Sequence, residues 1–154
     1  MNSQLIIALL AFMALPALAQ TVPEVSQESI DTALERWDIK VPRRCTYPIL
    51  DYNMADRGMV RPVKGESKRV VTIGQLAFVS WGILGSTLAH ELEVHCKQNM
   101  YKFVLWHIFG VDLTNEYERE AYLHELKNAK RFGLTKRETE EILDTFNFYY
   151  GEKE

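Results

Sequence analysis

The first nineteen residues carry no Lys, Arg, Asp or Glu, and this limits how much chain is left to fold. Leu5 to Leu15 is an almost unbroken apolar run ended by Pro16, and Ala17-Leu18-Ala19 supplies the small-x-small pattern that a signal peptidase reads. The run is shorter than the roughly 20 residues needed to span a bilayer. Residues 1–19 are therefore expected to be a signal peptide, cut before Gln20 and leaving no stable membrane anchor. Residues 20–154 then form one domain, long enough to enclose a core, in a periplasmic or secreted protein.

The removed segment holds no ionised side chain, so the net charge stays at -3. Lys and Arg are scattered, and Arg43-Arg44 is too short to form a patch, so no nucleic-acid partner is expected. Cys45 and Cys96 are the two cysteines. In an oxidising compartment they can pair; a free buried thiol and a metal-ligating Cys96 are the other readings.

Ile30, Ala33, Leu34 and Trp37 fall at i, i+3, i+4 and i+7, one face of a helix over 28–37, with Ser26 or Ser29 as N-cap and Pro42 as its stop. Residues 42–69 read as irregular, with room for short strands. Val70 to Ile73 reads as a strand and 75–81 as a second extended segment. Ser86 is the expected cap of a helix that starts near Thr87, passes His90, His95 and Met100, and continues as buried helix through Tyr101–Phe109 to Gly110. Asn115 and Glu118 form a capping-box pattern opening a helix to Phe132, with Gly133 as its C′ residue. Thr135 and Glu138 open a last helix to about Tyr149. Trp81, Phe103, Trp106, Phe109 and Tyr122 are expected in the core, with His107 as a core histidine. The fold class is mainly α with a small β element (α+β): a motif helix, then an acidic helix, then a C-terminal helix.

Two segments carry the chemistry: Ala89-His90-Glu91-Leu92-Glu93-Val94-His95 and Glu118-Arg119-Glu120-Ala121-Tyr122-Leu123-His124-Glu125. In the common HExxH spacing the two histidines lie roughly 40° apart around a helix and can share one ion, while the Glu serves as base for the bound water. Here Val94 adds a residue, and on an ideal helix His90 and His95 stand roughly 140° apart. A one-residue π-bulge would absorb the extra residue and restore the facing geometry. Without a bulge, Glu91 with His95 and Glu120 with His124 are i,i+4 pairs that share faces. Those four could fill a closed, structural metal site. Helical His and Glu can also be ordinary surface residues; Glu93, Glu116, Glu118 and Glu125 are expected as solvated charges, some pairing with Lys97, Arg119 or Arg131.

The segment His90 to His95 resembles the HExxxH form of the zincin motif known from the dipeptidyl-peptidase III family, with Val94 where that family has Gly. In that family a Glu on a later helix is the third ligand, and gluzincins place it in an E-A-x-x or E-x-x-A-x-Y context. Glu120, followed by Ala121 and Tyr122, is the nearest match. The resemblance implies a reduced zincin-like core, with Zn2+ held by His90, His95 and Glu120 and with Glu91 as general base. The activity it implies is an exported metallopeptidase-type hydrolase acting on a peptide, a protein or a peptidoglycan stem peptide. Tyr117 or Tyr122 could donate to an oxyanion, and Asn128 or Arg131 could meet a substrate carboxylate. The alternative is a non-enzymatic periplasmic binding protein (an inhibitor, an immunity-type partner or a metal carrier) with a structural metal site or none. A third reading is an antibacterial effector that uses the same chemistry.

Overall fold

The computed structural model describes residues 22–151; the expected signal peptide lies outside them. The described chain is mainly helical with one small sheet, as the patterning predicts. Helix α1, Gln27–Arg36, begins at Ser26, whose hydroxyl accepts from Ser29 N–H at 3.2 Å. Its buried face is Ser29, Ile30, Ala33 and Leu34, most of the stripe predicted. Strands β1 (Ile49–Asp51), β2 (Gly58–Arg61) and β3 (Val70–Gly74) form a sheet in the order β1-β3-β2. Parallel pairing joins β1 to β3, and antiparallel pairing joins β2 to β3. Two of the three strands thus lie in the stretch read as irregular. The β-branched strand β3 takes the middle place, with Val71, Thr72 and Ile73 buried.

Several expectations change. Gln75–Val79 is a 3-10 turn, not an extended segment. Helix α2, Trp81–Ala89, starts well before Thr87, with Ser80 as its cap, accepting from Ile83 N–H at 3.1 Å. Gly82 and Gly85 read locally as punctuation, but packing explains them as interior helix residues. A Cβ at Gly85 would stand 2.5 Å from the Trp37 ring, and one at Gly82 would stand 3.1 Å from the Phe132 carbonyl oxygen. Beyond the motif the helix stops, and Asn99 caps a separate helix α3, Met100–Ile108. Its described side chains are not buried: Tyr101 is 91% exposed, and Phe109, the C-cap, 72%; the side chain of Phe103, expected in the core, lies outside the described residues. Trp106 and His107 are exposed with it, so neither belongs to the core.

Helix α4, Thr114–Lys127, packs against the motif segment and against α6, Lys136–Tyr150. The expected single helix to Phe132 starts at Thr114, with Asn115 inside it and no side-chain cap at Leu113, and is broken at Asn128, leaving a short α5, Ala129–Phe132, closed by Gly133 in the left-handed region (φ 66). Thr135 and Glu138 form the predicted capping box of α6.

The core joins α1, α2, β3 and Phe132. Cys45 and Cys96 are disulfide-bonded, 51 positions apart in sequence. Closing a loop of that length stabilises by about 4 kcal/mol in the chain-entropy picture. The bridge ties the end of the motif segment to the start of the sheet region. Arg69 adds to it by donating to the carbonyl oxygens of His95 (2.7 Å), Cys96 and Gln98 (3.4 Å). Those acceptors lie where the helix ends and would otherwise lack partners. Among the described residues no helix is long and apolar enough to cross a membrane.

Candidate metal centre

The segment His90–His95 is one turn of π-helix continuing α2. Cys96 N–H donates to the Glu91 carbonyl oxygen, five residues back, at 2.8 Å. The extra residue is absorbed there, and the two imidazoles face each other with Nε2 atoms 3.0 Å apart. The Glu118 carboxylate lies across from both, with Oε2 3.5 Å from His90 Nε2 and Oε1 3.3 Å from His95 Nε2. Nitrogens bound to one tetrahedral zinc at about 2.0–2.1 Å stand about 3.3 Å apart, so this spacing fits a common ion.

Hydrogen bonding behind the rings supports the same conclusion. His90 Nδ1 is 2.7 Å from Glu125 Oε1, and His95 Nδ1 is 2.8 Å from Gln98 Oε1. Both partner oxygens accept, so both Nδ1 atoms donate, and in the neutral rings both Nε2 atoms present lone pairs. Two lone pairs facing at this distance repel unless a cation, proton or metal, lies with them. His90, Glu91 and His95 form a group that could hold a metal ion, with donor atoms all within 4.8 Å of one another.

Glu91 is buried, and its Oε2 has no hydrogen-bond partner. Its side chain lies against Gly58 of β2, where a Cβ would come within 2.6 Å of Oε1. Burial raises its pKa, partly opposed by His90 and His95. Glu91, His90, His95, Glu118 and Tyr122 line a cavity of about 690 Å³, bounded by β2, α2, α4 and α6.

The acidic helix contributes differently from its motif reading. Glu120 is not at the imidazoles: its carboxylate accepts from Gln98 Nε2 at 2.9 Å. The carboxylate there is Glu118, two residues earlier and roughly 200° around the helix. His124 is not there either. It meets Glu93 at 3.0 Å, and Arg131 donates to the same carboxylate, so the closed site of Glu91, His95, Glu120 and His124 is not assembled. Tyr117 donates to the Asn99 carbonyl, whereas Tyr122 stacks edge-on against His90. Asn128 bonds its own helix at the His124 carbonyl.

Gln98 and Arg57 escaped the sequence reading; Glu118 and Glu125, expected as solvated charges, instead face the imidazoles, and Glu125 lies fully buried. One signal was available: Tyr117, Ala121 and Glu125 at i, i+4 and i+8 form the buried stripe of α4. A carboxylate in a core slot needs partners. Glu125 has them: Arg57 at 2.9 and 3.2 Å, Ser86 at 2.8 Å, and His90.

These contacts predict how the metal-free protein responds to pH. Burial alone would lower the His90 pKa, but Glu118 and Glu125 outweigh it and raise it to about 10. Its contribution to stability is complete below the unfolded value near 6.5 and is lost as pH rises through about 10. Burial works against ionised Glu125, but Arg57 and His90 outweigh it and bring its pKa down to about 2. That contribution is complete above the ordinary 4.5 and is lost as pH falls towards about 2. Chelator-treated protein should therefore melt highest between these unfolded values. Saturating zinc should remove the alkaline decline, because the ion takes the proton's place. Thermal unfolding against pH checks this; an equal alkaline decline with and without zinc would count against a shared ion.

Compared with protein-family models, curated proteins and solved structures, the chain matches none.

Proposed function

We propose that the chain is an exported zinc-dependent hydrolase of the metallopeptidase type, cleaving an amide bond in a peptide, a protein or a cell-wall stem peptide. One observation carries this: the π-turn that sets two imidazoles 3.0 Å apart also leaves a buried, unpartnered carboxylate oxygen at the same cavity. His90, His95 and Glu118 hold the zinc, and Glu91 accepts the proton of the attacking water. Zinc at that point supplies a Lewis acid that brings water ionisation towards neutral pH. Tyr122 lies beside His90 and is placed to donate to a developing oxyanion. Strand β2 is a sheet edge and lines the cavity, which suits an extended peptide laid along it. The apolar, uncharged N-terminal segment and the Cys45–Cys96 disulfide support export.

Metal analysis of the purified protein tests the reading, together with hydrolysis of peptides and muropeptides. Stoichiometric zinc that is lost in His90→Ala and His95→Ala is expected, with activity stopped by chelation and restored by zinc. Undiminished zinc in both variants would overturn the centre.

A second reading is a binding protein with a structural metal. It is favoured by the closeness of Glu91 to both imidazoles, all three donors lying within 4.8 Å. If Glu91 is itself a ligand, no base remains.

A further inference from the structure

We propose that Gln98 and Glu120 are positioning residues that decide which nitrogen of His95 faces the metal centre. The Gln98 side chain is buried in the turn after the motif. Its Nε2 donates to the Tyr117 carbonyl oxygen at 3.0 Å and to Glu120 Oε2 at 2.9 Å. A carbonyl and a carboxylate only accept, so the NH2 end of the amide must face them. Its Oε1 is then the end that meets His95 Nδ1 at 2.8 Å. An amide oxygen also only accepts, so His95 carries its hydrogen on Nδ1 and turns the Nε2 lone pair towards His90.

The comparison with His90 shows why a third residue is needed. Glu125, behind His90, is a carboxylate and offers acceptors at either oxygen. An amide offers a donor at one end and an acceptor at the other. Unanchored, Gln98 could turn its NH2 towards His95, select the Nε2–H form and block the ligand nitrogen. Glu120 and the Tyr117 carbonyl remove that choice. This gives a role to the carboxylate that the motif resemblance assigns as a ligand. Arg69, donating to the Gln98 carbonyl at 3.4 Å, holds the backbone from which the amide reaches.

The inference rests on the metal reading, not on the hydrolytic one. Its test is zinc affinity of the full chain by chelator competition, together with the His95 imidazole N–H resonance in zinc-loaded protein. Gln98→Leu is expected to weaken zinc binding about 10- to 100-fold and to expose the Nδ1–H to rapid solvent exchange. Gln98→Glu still accepts from His95 but sets two carboxylates against each other, so it too should bind more weakly. Gln98→Glu with Glu120→Gln swaps acid and amide across the contact and should regain most of the loss. Glu120→Gln alone should weaken binding less than Gln98→Leu, because its amide oxygen can still turn towards Gln98 although its NH2 end can now compete. Wild-type affinity in Gln98→Leu and Gln98→Glu would overturn the relay and leave the metal reading standing. No zinc uptake by the wild type would overturn the metal reading, and the relay with it. If Gln98→Leu fails to fold, the single against the swapped double variant decides.

Discussion

Replacing Glu91 by Gln is expected to lower amide hydrolysis by about 10²- to 10⁴-fold, the usual contribution of a positioned base, with zinc content unchanged. Gln has nearly the shape of Glu and fits the same slot against Gly58. What it lacks is an oxygen basic enough to take a proton. The carboxylate suits this role because its Oε2 has no hydrogen-bond partner in the protein and Glu91 is among the residues that line the cavity. Burial also raises its pKa, which makes it a better proton acceptor once ionised. The measurement is turnover beside zinc stoichiometry in one preparation. Turnover at the wild-type level would remove Glu91 from the chemistry. Zinc lost together with turnover would make Glu91 a ligand and favour the structural-metal reading.

Glu125→Ala should give the largest loss of stability, about 3–5 kcal/mol, the cost of leaving buried charges without their partner. Glu125 is fully buried and receives both guanidinium arms of Arg57, the Ser86 hydroxyl and His90 Nδ1–H. Truncation strands all of these donors at once. For a domain whose total stability is about 5–15 kcal/mol, this approaches unfolding. Glu125→Gln keeps the volume and one acceptor oxygen and should lose less. Denaturant unfolding of the two variants in chelator measures the difference. In folded Glu125→Gln, zinc affinity should also fall, because His90 loses its charged partner. A Glu125→Ala protein as stable as wild type would mean that Arg57 and His90 find other partners.

The α1 stripe, the strand at Val70 and the Thr135 capping box were legible because each depends on residues a few positions apart. Helix α2 was less so: Gly82 and Gly85 look like breaks until Trp37 and Phe132 are placed against them. The apolar run of α3 read as core, yet Tyr101, Leu105, Trp106 and Ile108 are exposed, because among the described residues no other element packs extensively over them.

At the site, the donor types, their order along the chain and the one-residue surplus between His90 and His95 can all be read from the residues in order. Spacing alone left open whether that surplus would separate the rings or be taken up by a wider turn. Long-range contacts settle the matter: the Cys45–Cys96 bridge and Arg69 hold the end of the turn, and α4 packs across it. They also decide which acid faces the imidazoles. Glu118 and Glu120 are equally acidic and two residues apart, so the rotation of α4 separates them. That rotation follows from burying Tyr117, Ala121 and Glu125, a constraint imposed by the neighbouring elements and not by the local sequence.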